Sequence, residues 1–232
     1  MSNLKLDATT INVLKSFSQI NPSIIVREGN TLLSPSPTKD ILGRATVPAS
    51  FDKKFSIYSV SRFLNTLSLF NDPSMEIDEK KIKITDGNSR RTVNYTLAED
   101  SVLAIPSVKD PAFPEGEIKF KLKIDEIKEI ERALSILGAS SISVTNVGGK
   151  ICIQCNDLKD PNSDLYSMEV GETDKEFRAI FDPTKFSVLS KNLTNEYEVD
   201  ISSKGFSHFK TENLEYWIVL EASSTFNAAW GE

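Results

Sequence analysis

At 232 residues, 39% of them apolar and 26% charged, the chain has room for one large or two ordinary soluble domains. No run approaches the roughly 18 apolar residues of a membrane span. The opening Met1-Ser2-Asn3-Leu4-Lys5 lacks a signal peptide's cationic and apolar stretches, so the chain reads as cytoplasmic. A net charge of −6 argues against a protein that coats nucleic acid, though not against one whose positive charge is gathered on one surface.

The first predicted element is a helix near Asp7–Ser18, with Ile11, Leu14 and Phe17 on its apolar side and Asn12, Lys15 and Gln19 opposite. A strand at Lys54–Tyr58 leads into a second helix, Val60–Phe70. Its core stripe is Val60, Phe63, Leu64 and Leu67, with Arg62 and Asn65 outward. Short strands are expected near Ser74–Asp78, Lys81–Thr85 and Arg91–Thr96. Residues 98–116 read as a linker, because Pro106, Pro111 and Pro114 discourage helix and central strand alike. The chain then divides into an N-terminal domain 1–100, a connector 101–116 and a C-terminal domain 117–232.

In the second half Phe120, Leu122 and Ile124 alternate with Lys119, Lys121 and Lys123, which marks a half-buried strand with the lysines on its outer surface. Asp125 is the expected cap of a helix whose apolar positions are Ile127, Ile130, Leu134 and Leu137, stopped by Gly138. Opposite that stripe lie Lys128 and Arg132. Strands follow at Ser141–Val147 and Lys150–Cys155, joined by a Gly148-Gly149 hairpin turn. After the strand Glu176–Phe181, Asp182-Pro183 opens a shorter helix through Ser190 that carries Lys185, with Lys191 just beyond. Strands at Glu196–Ser202, Gly205–Lys210 and Leu214–Glu221 complete the pattern. Helices in two matching halves, with strands arriving in runs, argue an α+β class with helices on one face of antiparallel sheets.

Chemistry-bearing constellations are scarce. Cys152 and Cys155 form a C-x-x-C, but on an alternating strand they point to opposite faces, and His208 is the one histidine; they read as packing thiols with no metal. There is no G-x-S-x-G, phosphate-binding glycine loop or H-E-x-x-H. The chain is expected to be no enzyme and to need no cofactor.

The segment Ile57-Tyr58-Ser59-Val60-Ser61-Arg62-Phe63-Leu64-Asn65-Thr66-Leu67-Ser68-Leu69 resembles the I-Y-x-[LV]-x-x-F-L-x-x-L-S-L stretch of the sliding clamps of T-even-type bacteriophages. Thr9-Thr10, Leu14-Lys15, Phe17 and Ile20-Asn21 are similar to that family's first helix, and Leu220-Glu221-Ala222 with Ser224-Thr225 to its last strand. The departures are residues 226–232, which extend past the family's expected end, and Ala98–Asp100, which lack an expected aromatic. The resemblance implies a DNA-clamp fold and a homotrimer whose six domains encircle duplex DNA without sequence preference. It further implies a non-catalytic tether for the replicative DNA polymerase, opened by an ATP-dependent clamp loader, with a role in late transcription. A phage structural or protein-interaction module of two α+β domains is the other non-enzymatic reading.

Periodicity alone makes Lys15, Arg62, Lys128 and Arg132 ordinary solvated residues on polar helix faces. The resemblance implies that they line the DNA channel, together with Lys185 and Lys191. Val102, Leu103 and Ile105 either tuck between domains or, as the family implies, frame a groove with Ala222 and Ser223 for an apolar partner peptide. The edges near Arg91–Thr96 and Asp164–Val170 are the strands expected to meet between subunits.

Overall fold

A computed structural model describes residues 4–86, 90–107, 114–191 and 194–227. They form two compact units: described residues up to 107 with Lys191, and those from 114 to 190 and from 194 onward.

The first unit opens with α1 (Ala8–Ile20), started by Asp7, whose Oδ1 accepts from the Thr10 N–H at 2.9 Å. Val13, Leu14, Phe17 and Ile20 are buried, while Lys15 and Gln19 are exposed. Ile11 is only half-buried; Val13 and Ile20 complete the apolar stripe instead. Next come β1 (Ile24–Val26), β2 (Gly29–Pro35), β3 (Ile41–Phe51) and β4 (Phe55–Ile57), with β1 antiparallel to β4 and β2 antiparallel to β3. Three of these strands carry no sequence expectation, and in β3 an interior proline shows why. Pro48 is tolerated because the pairing jumps from Thr31↔Thr46 to Gly29↔Phe51, leaving it inside an irregular stretch of ladder. Gly43 of β3 lets α1 lie close: a Cβ there would stand 2.6 Å from Phe17 Cε1.

Helix α2 (Val60–Leu67) is capped by Ser59, whose Oγ accepts from the Arg62 N–H at 3.3 Å, and it buries the expected Val60, Phe63, Leu64 and Leu67. It packs beside α1. A meander of β5 (Pro73–Ile77), β6 (Lys81–Asp86) and β7 (Thr92–Thr96) ends the unit, with β6 central.

In the second unit β8 (Ile118–Lys123) runs directly into α3 (Ile124–Leu137). The expected cap at Asp125 is therefore corrected. Lys123 is the N-cap, its N–H donating to Glu126 Oε2 at 2.7 Å, because the Ile124 N–H is already held by the Asn195 carbonyl at 2.9 Å. Ile124 belongs to the helix and not to the strand. The expected core stripe also shifts: Ile127, Ile130 and Ala133 are buried, Leu134 is half-buried, and Leu137 is 36% exposed.

Strands β9 (Ser141–Val147), β10 (Lys150–Asn156), β11 (Tyr166–Glu172) and β12 (Phe177–Phe181) follow, then a one-turn α4 (Pro183–Phe186) continued by a 3-10 turn to Lys191. The chain finishes with β13 (Glu196–Ser202), β14 (Phe206–Lys210), β15 (Leu214–Val219) and the two-residue β16 (Thr225–Phe226). One antiparallel sheet runs β11-β10-β9-β12-β16, and β8, β13, β14 and β15 lie side by side in another. Gly148 and Gly149 have φ of 59° and 87°, as the β9–β10 turn requires. Edge-to-face contacts of Phe209 with Phe181 and Phe186, both at 6.0 Å, and with Tyr197 at 6.2 Å tie β12, α4, β13 and β14 together.

Candidate DNA-facing helices and partner groove

Every helix here buries one stripe and leaves a polar face, so the position of a cation on the helical repeat decides its access to a ligand. On α1 Lys15 is exposed, and it makes no ion pair among the described residues. On α2 Arg62 is exposed and likewise has no carboxylate partner. The start of α2 is fixed from β7, where the Tyr95 hydroxyl donates to the Ser59 carbonyl at 3.1 Å and the ring meets Phe63 edge-on at 5.3 Å. Burial pushes the Tyr95 phenol up, partly countered by the nearby Arg62 charge. Lys191 is exposed, and its carbonyl accepts from Asn12 Nδ2 at 3.2 Å, which sets it beside α1. The Tyr95 and Asn12 contacts are not legible in the sequence, because each joins distant positions.

The cations of the second unit are placed differently. Lys128 lies 3.3 Å from Asp125. Arg132 is exposed next to Glu131 in a groove of about 560 Å³ that also takes in Glu129, Ile136, Leu137 and Tyr166. The Tyr166 hydroxyl donates to Glu129 Oε1 at 2.9 Å; burial, with that carboxylate beside it, pushes the phenol up to about 12. Lys185 is turned toward Glu221 at 3.5 Å, with a side chain only 21% exposed. Lys119 and Lys121 lie on the exposed face of β8, paired with Glu115 at 3.7 Å and Glu196 at 3.0 Å.

For the partner groove, the structure describes the connector only to Ser107 and again from Pro114; residues 108–113, including Pro111, lie outside the described residues. Its first part is clipped to the first unit. The Asp100 carboxylate accepts from Lys54 and from Ser56 Oγ, holding the acid below its usual range, and Asn21 Nδ2 donates to the Ala104 carbonyl at 3.1 Å. Val102 is exposed at 60%, and Leu103 and Ile105 are half-buried. Ala222 and Ser223 are exposed residues of the second unit, and Ser223 borders a cavity of about 700 Å³ with Arg178 and Asp182. Beyond them the chain follows β12: Phe226 stacks on Phe177 at 6.4 Å, and the Asn227 N–H donates to the Glu176 carbonyl. Residues 228–232 of the extension lie outside the described residues.

Cys152 and Cys155 are both buried free thiols, and burial pushes Cys155 up to about 11, well away from a reactive thiolate.

Comparison with known proteins places these features in a family. A model described as DNA polymerase processivity factor matches residues 5–105, and one described as gp45 sliding clamp, C terminal, matches residues 119–222. The sliding clamp of Vibrio phage KVP40 is 29% identical over 224 residues, covering 94% of this chain and 100% of the relative. That of Enterobacteria phage T4 is 27% identical, covering 96% and 99%. Among solved structures, proliferating cellular nuclear antigen from Entamoeba histolytica superposes with a TM-score of 0.71 at 15% identity, over 95% of this chain and 98% of that one. The DNA polymerase III subunit beta of Pseudomonas aeruginosa gives 0.66 at 13% identity, over 98% of this chain and 66% of that one. At these identities the structural likenesses show the clamp fold. With one family model on each half and relatives aligned along nearly its whole length, the chain belongs to the phage sliding-clamp family of DNA polymerase processivity factors.

Proposed function

We propose that the chain is the subunit of a homotrimeric ring of six domains that encircles duplex DNA and tethers the phage replicative polymerase, acting without catalysis in the host cytoplasm. The observation that carries the ring is a pair of open sheet edges. Among the described residues β7 pairs only with β6, and β11 only with β10. An open edge on each unit supports head-to-tail closure, with β7 of one subunit continuing onto β11 of the next. Exposed apolar residues accompany both edges: Leu69, whose carbonyl accepts from Arg91 beside β7, and Leu165 and Ile136 near β11.

Lys15, Arg62, Lys128, Arg132, Lys185 and Lys191 are the proposed DNA-facing cations. Duplex DNA carries one charge per about 1.7 Å of its axis. Cations acting across water, within a Debye length of about 8 Å, hold it centred without reading sequence. Base-specific hydrogen bonds would pin the ring; diffuse attraction lets it slide. Val102, Leu103, Ile105, Ala222 and Ser223 are the proposed contacts for apolar peptides of the polymerase and of the ATP-dependent loader. A role in late transcription is proposed on the same surface.

Light scattering over the micromolar range tests the assembly, and synthesis on a primed circular template tests the function. A trimer that lengthens polymerase products only when a loader and ATP are present is expected. A monomer at every concentration, or products of unchanged length, would overturn the reading.

A further inference from the structure

The polar helix faces of the two units differ in charge. Helices α1 and α2 contain no acidic residue, and each carries one cation, Lys15 and Arg62. The rest of their exposed faces is neutral: Gln19, Ser61 and Asn65. Lys191 joins them through the Asn12 hydrogen bond, and none of the three cations is ion-paired among the described residues. Helix α3 instead carries Asp125, Glu126, Glu129 and Glu131 against Lys128 and Arg132, so its own charge is −2. Asp125 offsets Lys128 directly, and Arg132, though not ion-paired among the described residues, shares its groove with Asp125 and Glu129. Lys185 is spent on Glu221.

From this division we infer that each subunit holds duplex DNA through α1, α2 and Lys191, while α3 contributes little net attraction and acts as a spacer. The inference rests on the ring reading above. A phosphate responds to the summed field of charges within a Debye length, so a cation beside an equal anion is nearly silent to it, whereas an unopposed one acts in full. The acids of α3 also have structural partners that hold them in place: the Lys123 N–H for Glu126, Tyr166 for Glu129 and Ser190 for Glu131. A phosphate backbone tracking only the first unit's helices would meet three unopposed cations per subunit.

The test is the binding of a short fluorescent duplex, able to thread the free ring without a loader, followed by anisotropy across a salt series. Light scattering first establishes that each variant is a trimer. K15Q/R62Q/K191Q should lose affinity about tenfold or more at low salt and flatten the plot of log affinity against log salt. K128Q/R132Q should lose at least about threefold less than that triple variant, and E129Q/E131Q, whose amides keep the local hydrogen bonds, should raise affinity. Equal losses in the first two sets would leave the DNA-lining reading standing but overturn the division between units. No loss in either would overturn the lining itself. If a combined variant fails to assemble, the single substitutions K15Q and R132Q give the same contrast.

Discussion

Gly43→Ala tests whether the face that presents Lys15 is set by backbone-close packing of α1 on β3. The new methyl carbon would lie 2.6 Å from Phe17 Cε1 and 2.9 Å from Ile20 Cδ1. Carbon atoms rest at about 3.5–4.0 Å, so the overlap approaches an ångström. Phe17 is 1% exposed, so its ring has no empty space to move into and the helix must lift instead. Overpacking of this kind costs about 1–3 kcal/mol, offset by roughly 0.4–1 kcal/mol because alanine restricts the unfolded chain. A net loss of about 1–2 kcal/mol is expected. It should appear as a lower urea midpoint, with faster hydrogen exchange at the α1 amides as the local signal. Phe17→Leu made in the same background should recover part of the loss, a coupling that independent sites would not show. A cost below about 0.5 kcal/mol with unchanged α1 exchange, or strictly additive mutants, would refute the close-packing account.

Three further outcomes are expected. Replacing Leu103 and Ile105 with glutamate should leave the trimer intact and weaken polymerase-peptide binding by about 2 kcal/mol or more; unchanged affinity in titration calorimetry would move the groove elsewhere. Ile136→Glu alters a side chain 68% exposed, so the subunit should stay folded within about 0.5 kcal/mol. If the joint uses this surface, a buried glutamate disrupts the ring, and light scattering at micromolar concentration should find monomer. Asp100 has a carboxyl held low by its hydrogen bonds from Lys54 and Ser56. Its contribution to clipping the connector is present above the unfolded aspartate value of about 3.9 and is lost as pH falls through the lower folded value. The Val102 and Leu103 amide resonances should therefore titrate with a midpoint below that of a free aspartate and not respond in Asp100→Asn; a midpoint at or above the free value would contradict the clip.

Local chemistry was legible in the sequence wherever a signal lies within a few residues. The stripe Val60, Phe63, Leu64 and Leu67, the Asp182-Pro183 start and the Gly148-Gly149 turn all read correctly, because capping, helical period and positive φ are set by near neighbours. The α+β class followed from the order of those elements, and the outward placement of Lys15 and Arg62 from their spacing. Signals that depend on distant partners did not read. Strand β3 carries Pro48 in its interior, and its tolerance there comes from the irregular pairing with β2. Helix α3 is capped two residues before the expected Asp125 because the Asn195 carbonyl, far along the chain, takes the Ile124 N–H and leaves Lys123 as the cap. The sequence could count acids and bases on each helix, but ion pairing is a matter of three dimensions. Only the tertiary structure set Lys185 against Glu221 and brought Lys191 to Asn12, thereby deciding which cations remain unopposed. Charge acts through space over several ångströms, whereas the rules that read a sequence act along the chain.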